Sequence, residues 1–544
     1  MTPRLRISKP FLLVLLIAAV VVCYFPSLHG QFIWDDLDYI TKNKTLHSLK
    51  GLKDVWLEPR STTNYYPLLF SVYWLEYQLW GDHALGYHLV NVVLHILNAL
   101  LAWKLLYKLR IPGAFAAAFL FAIHPLNVES VAWIAEMKNT QSTFFMLLSI
   151  LFFQYHLDTE PGDKPFLNKR MARYLLSFSM FLCALLTKPV TCVLPGILLL
   201  ILWLRNGKIE RKQVMMLMPY ALMAGSFILL VMKSEQNYLV LSDTTLSFTL
   251  LERAIIAGKA FWFYLFKLIW PFPLMFIYPK WDNKPIDLLY ALFAIGLLIF
   301  LLFERRRTPK GLKAAIFYYL MTIAPVLGLL DYQNLEYTYV ADHFFYLPSI
   351  GLSALLVNAA IYLNDKQGTD FVLLKTTLAV IFVVIFVGLS WQHAGKFKDE
   401  ITIYGDTIYK DPGHPTSYNL RGQAYFKNGQ YDFALSDFER AIKLEPTYYQ
   451  AIHNRAIIYL KYHLYDLAFD DFSRVIKINP RCALAYYFRG QMHFQNKNYQ
   501  AALNDFNEAV SLDPRPQEAW QHLRMTQEML RRSGFIQSEE KFLH

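Results

Sequence analysis

Apolar positions in this chain come in blocks of about a dozen to two dozen residues up to about residue 390, separated by basic or proline-marked breaks. Beyond that point the blocks give way to a mixed pattern of helical period. The first block, 11–25, follows Arg4, Arg6 and Lys9, and the bulky Tyr24, Phe25 and Pro26 offer no small-residue cleavage site. It is read as an uncleaved span whose basic end is cytoplasmic. Further blocks at 87–107, 112–123, 140–156, 174–186, 190–204, 213–232, 286–303, 314–330, 344–363 and 371–389 predict about eleven spans in all. Basic returns at Lys104/Lys108/Arg110, Lys164/Lys169/Arg170/Arg173, Arg205/Lys208/Arg211/Lys212 and Arg305–Arg307 mark the cytoplasmic side. The stretch 253–270 breaks the alternation; it carries Lys259 and Lys267 and ends in Trp270-Pro271-Phe272-Pro273, which predicts an interfacial or re-entrant helix. Tyr65 to Trp80 predicts an aromatic helix near the interface.

The remainder of the chain repeats itself. Pro446, Pro480 and Pro514 recur every 34 residues, as do Gly422, Ala456 and Gly490; Tyr431, Tyr465 and Tyr499; Ala434, Ala468 and Ala502; and Phe438, Phe472 and Phe506. This is the tetratricopeptide (TPR) pattern: small residues let two helices approach, and proline ends the second helix because it lacks the amide donor a helix interior needs. Arg421, Arg455 and Arg489 keep the same register as Asp437, Asp471 and Asp505. Each Arg is expected to meet the Asp of its own hairpin and, as a partly exposed pair, to add little stability. The predicted fold is all-α, a polytopic membrane domain followed by an α-solenoid. It is divided as 1–390 membrane domain, 391–412 linker with a half-repeat helix, 413–514 three repeats, and 515–544 polar capping helix and tail.

Composition agrees: 55% hydrophobic, 16% aromatic and only 17% charged residues, with a net charge of +11 that suits basic loops on anionic lipid. No basic, aromatic-interleaved patch calls for nucleic acid as a partner. Cys23, Cys183, Cys192 and Cys482 have no metal-ligand spacing; Cys183 and Cys192 flank one turn, with two buried free thiols the expectation and a disulfide between them the alternative. Asn43-Lys44-Thr45 is a glycosylation sequon that matters only in a eukaryotic compartment.

The predicted topology gathers four polar clusters on the outer face: Asp35/Asp36, His124 with Glu129, Lys138 through Lys188, and Glu336 with Asp342 and His343. Each also has a structural reading. Trp34-Asp35-Asp36 is compatible with a helix end at the interface; His124-Pro125 with a helix stop; Glu129 and Lys138 with an ion pair; Lys188 with snorkelling; and Asp342 with a helix N-terminus. Their convergence from loops distant in sequence favours a site, because ionisable groups beside lipid are costly.

In combination, Phe32–Asp36, His124-Pro125-x-x-x-Glu129-Ser130-Val131-Ala132-Trp133, Thr187-Lys188-Pro189, Trp270-Pro271-x-Pro273-Leu274 and Ala341-Asp342-His343-Phe344-x-Tyr346-Leu347-Pro348 resemble the transmembrane-and-TPR-containing family, in matching order over nearly the whole chain. That family resembles the GT-C glycosyltransferases, polytopic enzymes that use a lipid-phosphate sugar donor and an acidic base in the first outer loop. The resemblance implies an O-mannosyltransferase-like enzyme with Asp35 or Asp36 as base, and with His124, Glu129, Lys138, Lys188, Asp342 and His343 around the donor phosphate or sugar. The chain departs from the family at His343, where Arg is usual, and at Asn139, where Asp is usual. The short repeat array points to a bacterial relative.

The function expected is sugar transfer from a polyprenyl-phosphate donor to a protein Ser/Thr hydroxyl or envelope acceptor, with the TPR groove recruiting acceptor or partner peptide. The rival is a non-enzymatic membrane scaffold for an envelope complex. No metal site is fixed by spacing; a divalent cation, Mg or Mn, on Asp35, Asp36 or Glu129 fits their hard oxygens. The location expected is the bacterial inner membrane, with the N-terminus cytoplasmic and the repeats periplasmic, or the endoplasmic reticulum membrane in a eukaryote.

Overall fold

Lipid leaves a spanning backbone no partner but itself, so long apolar blocks are held as helices. The computed structural model describes residues 8–159, 169–239, 248–304, 308–329, 337–367 and 372–532, and every regular element among them is helical. Glu336 and Arg305–Arg307 lie outside the described residues. Two compact units divide between Ile403 and Tyr404, inside the 391–412 stretch.

In the first unit, helices occur at each of the eleven expected positions. Eight of the described helices are long and apolar enough to cross a bilayer alone, and a ninth crossing results if Ala114–Ile123 and Pro125–Ala132 count as one span broken by 56°. The differences have local causes. Lys310–Ile323 has 14 residues, too few for a bilayer core. Met137–Leu157 is 21 residues long, but it opens with Lys138-Asn139-Thr140-Gln141-Ser142-Thr143, all buried within the protein. Leu250–Ile269 carries Glu252, Arg253, Lys259 and Lys267 and does not qualify as a span. It instead contributes Ala260, Phe261, Tyr264 and Leu268 to a core shared with Leu126, Tyr278, Tyr319 and Phe345. Its close neighbour is Leu288–Phe303, and Gly258 permits the approach, since a Cβ there would lie 2.4 Å from the Ala291 amide nitrogen.

The loop after the first span is folded rather than extended. Its sequon asparagine is consumed locally: Asn43 accepts from the Thr45 amide and hydroxyl and donates to the Tyr39 carbonyl, with 8% of its surface exposed. All four cysteines are free thiols, with Cys183 and Cys192 half-buried rather than buried.

The second unit follows the 34-residue period. Helix Glu400–Lys410 leads into it, and three hairpins follow: Pro415–Lys427 with Tyr431–Leu444, Tyr449–Lys461 with Tyr465–Ile478, and Ala483–Gln495 with Tyr499–Leu512. The second helices stop two residues before Pro446, Pro480 and Pro514, because a residue preceding proline is driven out of the α region. Ala434, Ala468 and Ala502 are fully buried. A Cβ at Gly422 would come within 2.6 Å of the Phe438 ring, and one at Gly490 within 3.0 Å of Phe506; the corresponding position of the middle repeat is Ala456, fully buried like Phe472. The Tyr positions are more open, with Tyr465 48% exposed. Each Arg meets the Asp of its own hairpin through two hydrogen bonds of 2.7–2.8 Å. The acids are 5–6% exposed, so the pairs are more deeply set than the sequence reading assumed. Gln517–Arg532 closes the array, burying Ala519, Leu523, Thr526 and Leu530 on one face.

Candidate active site

The site grows out of the break at His124-Pro125. His124 caps the following turn by accepting from the Leu126 amide at 3.2 Å, and Asn127 donates to the Phe121 carbonyl at 2.8 Å. Carbonyls set free beyond the bend need donors, because buried backbone groups without partners are costly. The Asn91 amide reaches the carbonyls of Ser130, Val131 and Trp133 at 2.9–3.3 Å, and the Tyr73 hydroxyl reaches that of Ile134 at 2.8 Å. This fixes residues 129–139 as a buried, irregular ledge.

On the ledge sits a network of alternating charge. Lys138 Nζ lies 2.8 Å from Glu136 Oε1, and Lys188 Nζ lies 3.9 Å from Glu136 Oε2 and 2.6 Å from Asn139 Oδ1. Asn139 donates to Glu136 at 2.6 Å, to Ser130 Oγ at 3.2 Å and to the His343 carbonyl at 3.1 Å. Glu129 accepts from His343 twice, at the amide (3.1 Å) and at Nδ1 (2.8 Å), and His343 Nε2 is 3.9 Å from Glu136. Lys138 also lies over the Tyr39 and Trp133 rings at 5.2 and 5.8 Å. Burial opposes charge on Glu136, but His343, Lys138 and Lys188 outweigh it and hold its carboxyl down at about 2. Burial brings the Lys188 ammonium down to about 8, with Glu136 resisting.

The two aspartates have different roles in the fold. Asp36 is fully buried, and its carboxylate accepts from the Ile33 amide at 2.9 Å and the Ala135 amide at 2.6 Å, tying the first loop to the ledge. Asp35 lines a narrow cleft together with Trp34, Glu129, Glu136, Lys138, Phe276 and His343. Its carboxylate makes no hydrogen bond or ion pair among the described residues. Burial pushes the Asp35 carboxyl above the usual range and Lys138 pulls it back; burial likewise raises Asp36, against its two amide donors.

The remaining sequence-derived candidates divide. Glu129, Lys138 and His343 line the cleft, and Lys188 reaches its Glu136–Asn139 edge. His124 does not join them: it is fully buried, its Nδ1 is taken by Leu126, and its Nε2 is 3.0 Å from the Leu268 carbonyl, leaving no nitrogen for a phosphate. Asp342, also fully buried, accepts from the Tyr278 hydroxyl at 2.9 Å. The possible Glu129–Lys138 ion pair is replaced by Glu129–His343 and Lys138–Glu136. Glu136 at the centre of the network was missed by sequence reasoning; its signal was an acid two residues before a lysine where a spanning block begins. Among the described residues no three His, Cys, Asp or Glu side chains converge as metal ligands. Of the cleft's acids, Glu136 is met by Lys138 and Lys188, and Glu129 by His343.

The chain is similar to known proteins both in its repeats and over most of its length. The tetratricopeptide repeat family matches residues 415–448 and 483–516. A protein O-mannosyl-transferase of Caenorhabditis elegans is 23% identical over 464 residues, covering 80% of this chain and 63% of its own length. Protein O-mannosyl-transferase TMTC1 of Mus musculus is 31% identical over 36% of this chain and 22% of its own length. For TMTC3 of Homo sapiens the figures are 31%, 26% and 16%. This chain therefore spans less than two thirds of each relative. The first TPR of Spaghetti (RPAP3), solved with an HSP90 peptide, is 26% identical over 22% of this chain and 93% of that chain, at a TM-score of 0.21. The chain is an integral-membrane, all-helical TPR protein, a relative of the protein O-mannosyl-transferases of the transmembrane-and-TPR-containing family.

Proposed function

We propose that the protein is a membrane glycosyltransferase that moves a sugar from a polyprenyl-phosphate donor to a hydroxyl of a protein or envelope acceptor. One observation carries this reading: Asp35, without a hydrogen-bond partner among the described residues, shares a cleft with Lys138 and His343, with Lys188 at its edge. In the reaction the acceptor oxygen bonds to the anomeric carbon while the bond from that carbon to the phosphate oxygen breaks. The hydroxyl proton passes to Asp35, and the bonding electron pair leaves with the phosphate. A carboxylate with a raised proton affinity suits a base that must hold the proton, and it needs to come within about 3 Å of the hydroxyl. Negative charge grows on the phosphate, where the Lys138 and Lys188 ammonium groups are fixed in advance. Their anchor Glu136 keeps two cations together that would otherwise repel.

The basic returns in the sequence support a cleft on the non-cytoplasmic face, where it would meet the donor phosphate of a flipped lipid. The repeats serve acceptor or partner recruitment. The test is transfer of radiolabelled sugar from a panel of polyprenyl-phosphate donors in membranes. Native protein should transfer and Asp35→Asn should not. Equal signals from both would refute Asp35 as base. Transfer absent with every donor, together with capture of a defined partner by residues 404–544, would favour the scaffold.

A further inference from the structure

Asp35 is aimed by a turn that its own sequence does not favour. The Asp36 amide donates to the Ile33 carbonyl at 2.9 Å, closing a tight turn, and Trp34 inside it adopts φ = 47°. A bulky residue in the left-handed region is a strained outlier, and such strain persists only where the surroundings hold it. Part of the hold comes from a segment more than 360 positions away in sequence. The Trp34 amide donates to Glu400 Oε1 at 3.1 Å, and the Gln31 amide donates to the Lys398 carbonyl at 2.8 Å. Phe397, 1% exposed, packs edge-on at 5.9 Å against Phe276, which in turn packs edge-on at 5.5 Å against Trp34.

The helix that Glu400 opens has its own cap. Asp399 accepts from the Thr402 amide at 2.8 Å, so the Glu400 carboxylate is not needed for that purpose and reaches back to the first loop.

We propose that Glu400 is a positioning residue of the Asp35 site: its side-chain oxygen holds the Trp34 amide in the left-handed turn that points Asp35 into the cleft. The effect on catalysis rests on Asp35 being the base; the hold on the turn does not. The role needs an acceptor oxygen at the right reach rather than a charge. Gln keeps both the oxygen and the reach, Asp keeps the charge but is one methylene short, and Ala has neither.

The experiment compares Glu400→Gln, Glu400→Asp and Glu400→Ala in the full chain in lipid nanodiscs. It reads kcat and donor KM for sugar transfer, and hydrogen exchange of the peptide covering residues 30–38. The expected result is native-like behaviour for Gln. For Asp and Ala, kcat should fall about 10–100-fold, the penalty of an ångström-scale misplacement, with donor KM within about two-fold and faster exchange in 30–38. Asp behaving as Glu, Gln failing as badly as Ala, or native exchange in both Asp and Ala overturns the proposal. If the native chain transfers no sugar but exchange follows the expected order, the hold on the turn stands and the reading of Asp35 as base falls. Should Ala fail to fold, the Gln–Asp contrast decides by itself.

Discussion

The arginine–aspartate pairs of the repeats offer a sharp test of how burial changes an ion pair, and Asp471→Asn in the middle hairpin is the informative substitution. Arg455 donates through Nε and one terminal nitrogen to the two oxygens of Asp471, both at 2.8 Å, and the side chains are 18% and 8% exposed. An exposed pair would be worth about 0–1 kcal/mol. Here Asn keeps one acceptor and turns an amino group toward the guanidinium, so one charge-assisted hydrogen bond worth about 1.5–3 kcal/mol is lost. A half-buried guanidinium is also left short of its counter-charge, and the expected total is about 2–3 kcal/mol. Urea unfolding of residues 404–544, followed by helical circular dichroism, measures it as a lower midpoint at unchanged slope. With a slope of about 1–3 kcal/mol per molar, the midpoint should fall by about 0.7–3 M. Glu528→Gln is the control, since its pair with Arg532 is 72% and 61% exposed, and it should leave the midpoint in place. A loss below about 0.5 kcal/mol for Asp471→Asn would place the pair among ordinary surface bridges and refute the burial argument.

Other consequences concern the membrane unit. Sugar transfer should decline as pH rises through about 8, because the Lys188 ammonium, lowered by burial, is lost there; Lys188→Arg should move that limb to higher pH, and an unmoved limb would assign it to another group. Glu136 has a folded value of about 2 against an ordinary 4.5. A depressed carboxyl stabilises the fold above its unfolded value, so this contribution is complete above about pH 5 and lost as pH falls toward 2; Glu136→Gln should flatten the change in melting temperature over that window. Asp35→Asn should abolish transfer with the melting temperature kept, whereas Asp36→Asn, which halves the acceptors for the Ile33 and Ala135 amides, should lower both. Substituting His124 by Ala should lower melting temperature and leave donor KM unchanged in the protein that folds, since both ring nitrogens serve backbone groups.

Much of the fold is legible in the sequence because its causes are local or periodic. Eleven apolar blocks become helices since lipid and a dry interior leave backbone amides no other partners. The 34-residue register fixes the hairpins, where small residues admit a phenylalanine ring and prolines end helices by removing a donor. Hydropathy also exposed Leu250–Ile269 as an irregular member through its charges, though not that Tyr264 would accept from and donate to the Ala341 backbone, two residues before His343.

The site was legible only as a set of candidates. Residue types at the outer ends of spans named Asp35, Glu129, Lys138, Lys188 and His343, but no spacing rule tells which side chains meet. Asp35 and Asp36 are adjacent and chemically identical in sequence, yet one faces the cleft and the other is held by the Ile33 and Ala135 amides. His124 looks like a ligand in a motif and is a cap in three dimensions. Glu136 drew no notice in sequence and anchors two lysines in space. Composition and period decide what each segment becomes on its own; pairing across hundreds of residues, as between Trp34 and Glu400, is decided by packing, which alone sets where buried charge and free carbonyls find their partners.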